Sequence, residues 1–168
     1  MPVSGQIVAQ LQIIETLTTG VAAVGSPKVT HDGFSQQLSL SGTSTPPITE
    51  IVSLSGTLSG STAVIDLSSV VGVGGTYDLT SPAGQRIQAL FAKNPSSSNT
   101  LRLEDNSSNG YPLFGDAAAF CVLPPGGWGL WFMNDYCDAG GNVLDATHKQ
   151  LLLTGTSGQG YQLQVVVG

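Results

Sequence analysis

Apolar residues recur at every second position in short runs along this chain, and each run ends in a cluster of Gly, Pro, Ser, Asn or Asp. Such alternation marks half-buried strands, because successive side chains of an extended chain point to opposite faces. Between Gly5 and Thr18, Ile7, Ala9, Leu11, Ile13 and Leu17 share one face, with Gln6, Gln10, Gln12 and Ile14 opposite. Gly20 to Asp32 breaks the pattern and reads as a loop. Phe34, Gln36, Leu38 and Leu40 alternate with serines and Gln37 in a second strand, which the prolines at 46 and 47 end because they cannot donate to a ladder.

Ile48–Leu58 and Thr62–Leu67 give the next two strands, joined at the Ser59-Gly60-Ser61 turn. Val70–Gly75 is rich in Gly and Val, and Thr76–Leu79 reads as a short edge strand. Gln85–Lys93 is a strand, Asn94–Asn99 a hairpin loop, and Leu101 and Leu103 alternate with Arg102 and Glu104 in the returning strand. His148–Leu153 and Tyr161–Val167 close the chain; the last is apolar on one face and mixed on the other. The repeated LSLSGT, VSLSGT and LLTGT, starting at Leu38, Val52 and Leu152, fall at unequal separations and reflect recurrent turn chemistry, not a solenoid.

Residues 117–135 form the centre of this pattern. Tyr111, Phe114, Phe120, Trp128, Trp131, Phe132 and Tyr136 lie in or beside it, and aromatic rings dominate the energetics of cores and interfaces. An apolar run ends at Leu123, Pro124-Pro125-Gly126-Gly127 makes a turn, and a second aromatic run starts at Trp128, which together predict a β-hairpin. Alternation puts Trp128, Leu130 and Phe132 on one face and Trp131 and Met133 on the other, so both faces of this segment need a cover, from the protein or from a partner.

The resulting expectation is an all-β protein: an antiparallel β-sandwich or jelly roll of about 8–10 short strands, the sandwich preferred. A length of 168 residues suits one domain, 1–168, with 1–19 as an N-terminal arm or an edge strand. Composition agrees, since 22 Gly and 9 Pro suit turns, and the many Ser and Thr are weak helix formers. Only 10% of residues are charged, so hydroxyl and amide side chains must supply most of the polar surface.

The formal net charge of −6, with no cluster among the five Lys and Arg, argues against nucleic-acid binding. No apolar run reaches the roughly 20 residues of a membrane span, and MPVSGQIVAQ lacks a basic segment followed by an apolar core, so a soluble, cytosolically made protein is expected.

Candidate chemistry is sparse. Gly-x-Ser-x-Gly is absent and His31 and His148 are the only imidazoles; His148 beside Asp145 reads better as a strand-edge histidine in water than as a base. Asp135, Asp138 and Asp145 with Asn134 and Asn142 crowd one loop region without calcium-loop spacing. Cys121 and Cys137 lack the partners of a zinc site, and two buried thiols are expected, with a disulfide as the alternative. The chain is therefore expected not to be an enzyme and to need no cofactor or metal. Trp128, Trp131, Phe132, Tyr136 and Tyr111 are its interface or binding candidates.

The C-terminal third resembles small virion proteins of tailed bacteriophages. The likeness lies in Leu123-Pro124-Pro125-Gly126-Gly127-Trp128, Leu130–Asp135, Asp145–Lys149, Gly158-Gln159-Gly160 and Gln162–Gly168: a Pro/Gly turn before an apolar strand, then a Gly-rich turn before a Val-rich one. The resemblance implies a head decoration, or cement, protein on the capsid surface, made in the bacterial cytoplasm. Its partners would be copies of itself, as a homo-oligomer with a trimer favoured, and the major capsid protein, which it would clamp. The alternative is a carbohydrate- or receptor-binding module of a tail fibre, spike or surface lectin, with Trp128, Trp131, Tyr111 and Tyr136 as a platform for sugar rings.

Overall fold

The computed structural model describes residues 48–114, 120–132 and 143–168, with Phe132 as backbone only, and the backbone of four earlier strands. All its regular structure is β, and every strand pairing is antiparallel.

The four early strands are β1 (Ser4–Gln10), β2 (Ile13–Thr16), β3 (Lys28–His31) and β4 (Ser35–Ser41). They pair as nested hairpin partners, β1 with β4 and β2 with β3, so that Ile7 stands opposite Leu38 and Ile13 opposite His31. The N-terminal segment thus pairs within its own chain. β3 corrects the expected Gly20–Asp32 loop: Lys-Val-Thr-His is too short to show alternation, and strand pairing, not local pattern, extends it.

The body begins with β5 (Glu50–Thr57) and β6 (Thr62–Asp66), followed by a small hairpin of β7 (Val70–Gly72) and β8 (Gly75–Tyr77). Then come β9 (Ile87–Lys93), β10 (Leu101–Asp105), β11 (Phe120–Leu123), β12 (Trp128–Phe132), β13 (Gln150–Thr154) and β14 (Gly160–Val167). These body strands form two four-stranded sheets, β11-β10-β13-β6 and β12-β9-β14-β5. Of sequential strands in the sheets, only β10 and β11 are neighbours in one sheet; every other connection crosses to the opposite sheet. That order is a jelly roll, an eight-stranded, double-sheet β-sandwich built from two Greek keys.

One core lies between the sheets. Leu101, Leu103, Leu151 and Leu153 from the first sheet meet Val52, Leu90, Ala92, Leu163, Val165 and Val167 from the second, all withdrawn from water. Their partners in alternation, such as Arg102, Glu104, Gln162 and Gln164, face outward. Ala89 and Val166 are buried on the outer side, where they pack with Ile48 and Ile51.

The topology corrects the expected hairpins. Within the expected 117–135 hairpin, the described strands do not pair with each other: β11 pairs β10 and β12 pairs β9, in different sheets. The same holds for β9 and β10 about the 94–99 loop, and for β5 and β6 about Gly60. The physical reason is visible at the Pro124–Gly127 turn, whose polar groups are used by the neighbouring loop. Gly126 N–H donates to the Ser96 carbonyl at 2.7 Å and Asn94 N–H to the Gly127 carbonyl at 2.8 Å. Strands splayed by such a turn can each turn one face into the core, Cys121 and Leu123 from β11 and Trp131 from β12.

Candidate functional site

The loops at this end converge on Asn94, which is fully buried. Its Nδ2 donates to the carbonyls of Asn99, Leu123 and Pro124 at 2.7, 3.1 and 2.9 Å. Its Oδ1 accepts from Ser96 N–H at 3.1 Å and from Gln159 Nε2 at 2.9 Å. Gln159, itself buried, accepts the Thr156 N–H through Oε1. One side chain therefore ties together the β9–β10, β11–β12 and β13–β14 connections.

That clamp sets where the aromatic residues stand. Trp131 points inward from β12, packs on the core and meets Phe114 edge-on with ring centroids 5.8 Å apart. Its ring lies back over Gly129, where a side chain would collide with it. Tyr111 is only 4% exposed and belongs to the core, where its hydroxyl accepts the Ile87 N–H. Trp128 points the other way, is 65% exposed, and rests on Phe91 with centroids 6.1 Å apart. Phe132 is described as backbone at the end of β12, and Tyr136 and Cys137 lie outside the described residues. Cys121 is a free thiol on β11, and burial raises its pKa.

Strand register turns the outer side of the β12-β9-β14-β5 sheet into two open rows. One runs Trp128, Lys93, Gln162, Ser55, and the next Leu130, Phe91, Gln164, Ser53. Lys93 is the only charge on these rows. A shallow groove of about 210 Å³ lies over the Phe91, Gln162, Gln164, Ser53 and Ser55 part of these rows, bounded by Val73 of the β7–β8 turn, with Trp128 outside its lining.

The outer side of the β11-β10-β13-β6 sheet differs in chemistry. One row reads Phe120, Glu104, Leu152, Val64 and the next Val122, Arg102, Thr154, Thr62. Phe120, Val122 and Val64 are 52%, 46% and 49% exposed. The two charges cancel in place: Arg102 meets Glu104 at 3.2 Å and stacks over the Phe120 ring at 4.0 Å, and Thr154 donates to Glu104 at 2.8 Å. Sequence reasoning missed this face because its apolar members come from β6, β11 and β13, which only the sheet order brings together.

Asp145 and Asp66, outside the rows just given, serve turns. Thr147 N–H and hydroxyl, followed by His148, hydrogen-bond the Asp145 carboxylate and hold its pKa far below the usual range. Asp145 and His148 are thus neighbours, at 3.2 Å, in an exposed capped turn. Partial burial pushes the Asp66 pKa up, but hydrogen bonds from the Ser68 hydroxyl and N–H, with Lys149 at 3.4 Å, outweigh it and lower the value. Among the described residues, no three His, Cys, Asp or Glu side chains gather as a metal site.

No family model matches this chain, and neither a curated protein nor a solved structure matches it. Its two outer faces therefore carry the functional argument by their chemistry.

Proposed function

We propose that this chain is a non-enzymatic structural protein of a virion, a capsid decoration protein that clamps neighbouring coat subunits. It assembles as a homo-oligomer, a trimer favoured, on the major capsid protein after synthesis in the host cytoplasm. The observation that carries this reading is the outer face of the β11-β10-β13-β6 sheet, where half-exposed Phe120 and Val122 flank a self-neutralised Arg102–Glu104 pair and half-exposed Val64 stands at the other edge.

A chain of net charge −6 repels its own copies, so contact is cheapest through a face that carries no net charge. Covering Phe120, Val122 and Val64, each about half exposed already, yields roughly 1 kcal/mol apiece. That is small beside the cost of association, about 4–15 kcal/mol. A single such contact is weak, and repeated contacts in a closed ring or on a lattice convert it into firm binding.

The test is light scattering after size exclusion over a dilution series, with co-sedimentation against purified phage heads. Oligomers at high concentration, reduced to monomers by Phe120→Ser with Val122→Ser, support the reading. A wild-type monomer at every concentration that also ignores capsids overturns it.

A further inference from the structure

We infer that the outer face of the β12-β9-β14-β5 sheet binds carbohydrate, Trp128 stacking against one pyranose ring while Gln162, Gln164, Ser53 and Ser55 of the adjoining groove read the hydroxyls of the next. This inference is independent of the assembly role assigned to the opposite sheet.

Three features carry it. The first is the platform: Trp128 is 65% exposed, and Phe91 beneath it fixes the tilt of the indole at 31° between ring planes. A solvent-facing indole held in one orientation offers a flat apolar surface to the C–H face of a sugar, without the rotamer entropy of a longer side chain.

The second is the lining of the groove. Gln162, Gln164, Ser53 and Ser55 stand on its floor and walls, and none of their side chains hydrogen-bonds another described residue. A carboxamide donates and accepts at once, as does a hydroxyl, which is what vicinal sugar hydroxyls require. Unpaired among the described residues, these groups are free to pair with the hydroxyls of a sugar. Lys93, the single charge on the two rows, accepts a neutral or carboxylated sugar and repels a cationic one.

The third is span. Trp128 and Gln162 sit on strands separated by β9, hence about 10 Å apart at a strand spacing of roughly 4.8 Å. The ligand is therefore an oligosaccharide of at least two rings, lying across the strands from the indole to the amides.

Trp128 and Trp131 are the chain's two tryptophans, and Trp131 packs on the core, so a change in emission on ligand addition reports mainly on Trp128. The probes are cellobiose, maltotriose, chitotriose and purified bacterial O-polysaccharides, titrated into wild type and into Trp128→Ala and Gln164→Ala. A saturable emission change with at least one probe is expected, about tenfold weaker in binding for Trp128→Ala by calorimetry and also weakened for Gln164→Ala. No saturable response to any probe at about 10 mM overturns the inference. So does binding that survives Trp128→Ala, or a fall in native mass on that substitution, which would make this face a contact between copies.

Discussion

Replacing Asn94 tests whether one buried carboxamide holds the turn end of the sandwich together. In Asn94→Ala, the Gln159 Nε2 and the Leu123 carbonyl lose a partner they had in a buried setting. An unpaired buried polar group costs about 1–3 kcal/mol, and the Ser96 N–H and the Asn99 and Pro124 carbonyls are close enough to water to be partly repaired. The expected loss is about 3 kcal/mol, a large part of the roughly 5–15 kcal/mol that holds a domain folded. Urea unfolding followed by tryptophan emission should show the midpoint falling by about 1.5 M at unchanged slope. Asn94→Asp keeps the shape and the accepting oxygen but turns the donor into a second acceptor facing three carbonyls, so it should be worse than alanine at neutral pH. A carboxyl there has its folded pKa raised above the unfolded value, so its stability deficit is full at high pH and shrinks as pH falls toward about 4. An Asn94→Ala variant within about 1 kcal/mol of wild type would refute the clamp, and an Asp variant no worse than Ala would refute the donor argument.

Further outcomes follow from the same geometry. Trp131→Ala should cost about 3 kcal/mol in the same urea assay and Trp128→Ala less than about 0.5, and the reverse order would show that the faces of β12 are misassigned. Phe120→Ser should leave the melting temperature within a few degrees of wild type while lowering native mass, so a large loss of stability would instead make Phe120 a core residue. Asp66 has its folded pKa lowered, so its contribution is present above the unfolded value and lost as pH falls through the folded one. Wild type should therefore lose stability relative to Asp66→Asn below about pH 4, by less than about 1 kcal/mol because the pair is partly exposed; a parallel pair of curves would contradict the assignment. A side chain at Gly56 would collide with the Tyr161 ring, so Gly56→Ala should cost about 1–2 kcal/mol, measured by thermal unfolding.

The strands themselves were legible in the sequence, and their partners were not. Leu101 and Leu103, or Leu163, Val165 and Val167, announce a buried face because alternation is a property of adjacent residues. Pairing is settled by which carbonyls a turn can reach, and the groups that decide it lie far apart in the chain: Ser96 and Asn94 with the 124–127 turn, Gln159 with Asn94. Asn94 reads as one more polar turn residue in the sequence, although it is the most connected side chain at that end. The candidate site follows the same division. Alternation separates Trp128 from Trp131, but which one faces water depends on which sheet covers β12. Tyr111 looks equally suited to a surface until the Ile87 N–H is seen to use its hydroxyl.

Because neighbours in sequence lie in opposite sheets, several connections join the two outer faces, and one of them is a short turn between their aromatic residues. β11 gives Phe120 and Val122 to one face and β12 gives Trp128 to the other, with only Pro124–Gly127 between them. The placing of Phe120 and Val122 relative to Trp128 thus depends on that turn as well as on the packed sheets, and the turn is held by Asn94. Asn94→Ala, studied well below its melting temperature, should then weaken both oligomer formation and glycan binding, whereas Phe120→Ser weakens only the first and Trp128→Ala only the second. If Asn94→Ala lowered stability but left both functions intact, the faces would be positioned by the sheets alone and the turn would matter only for folding.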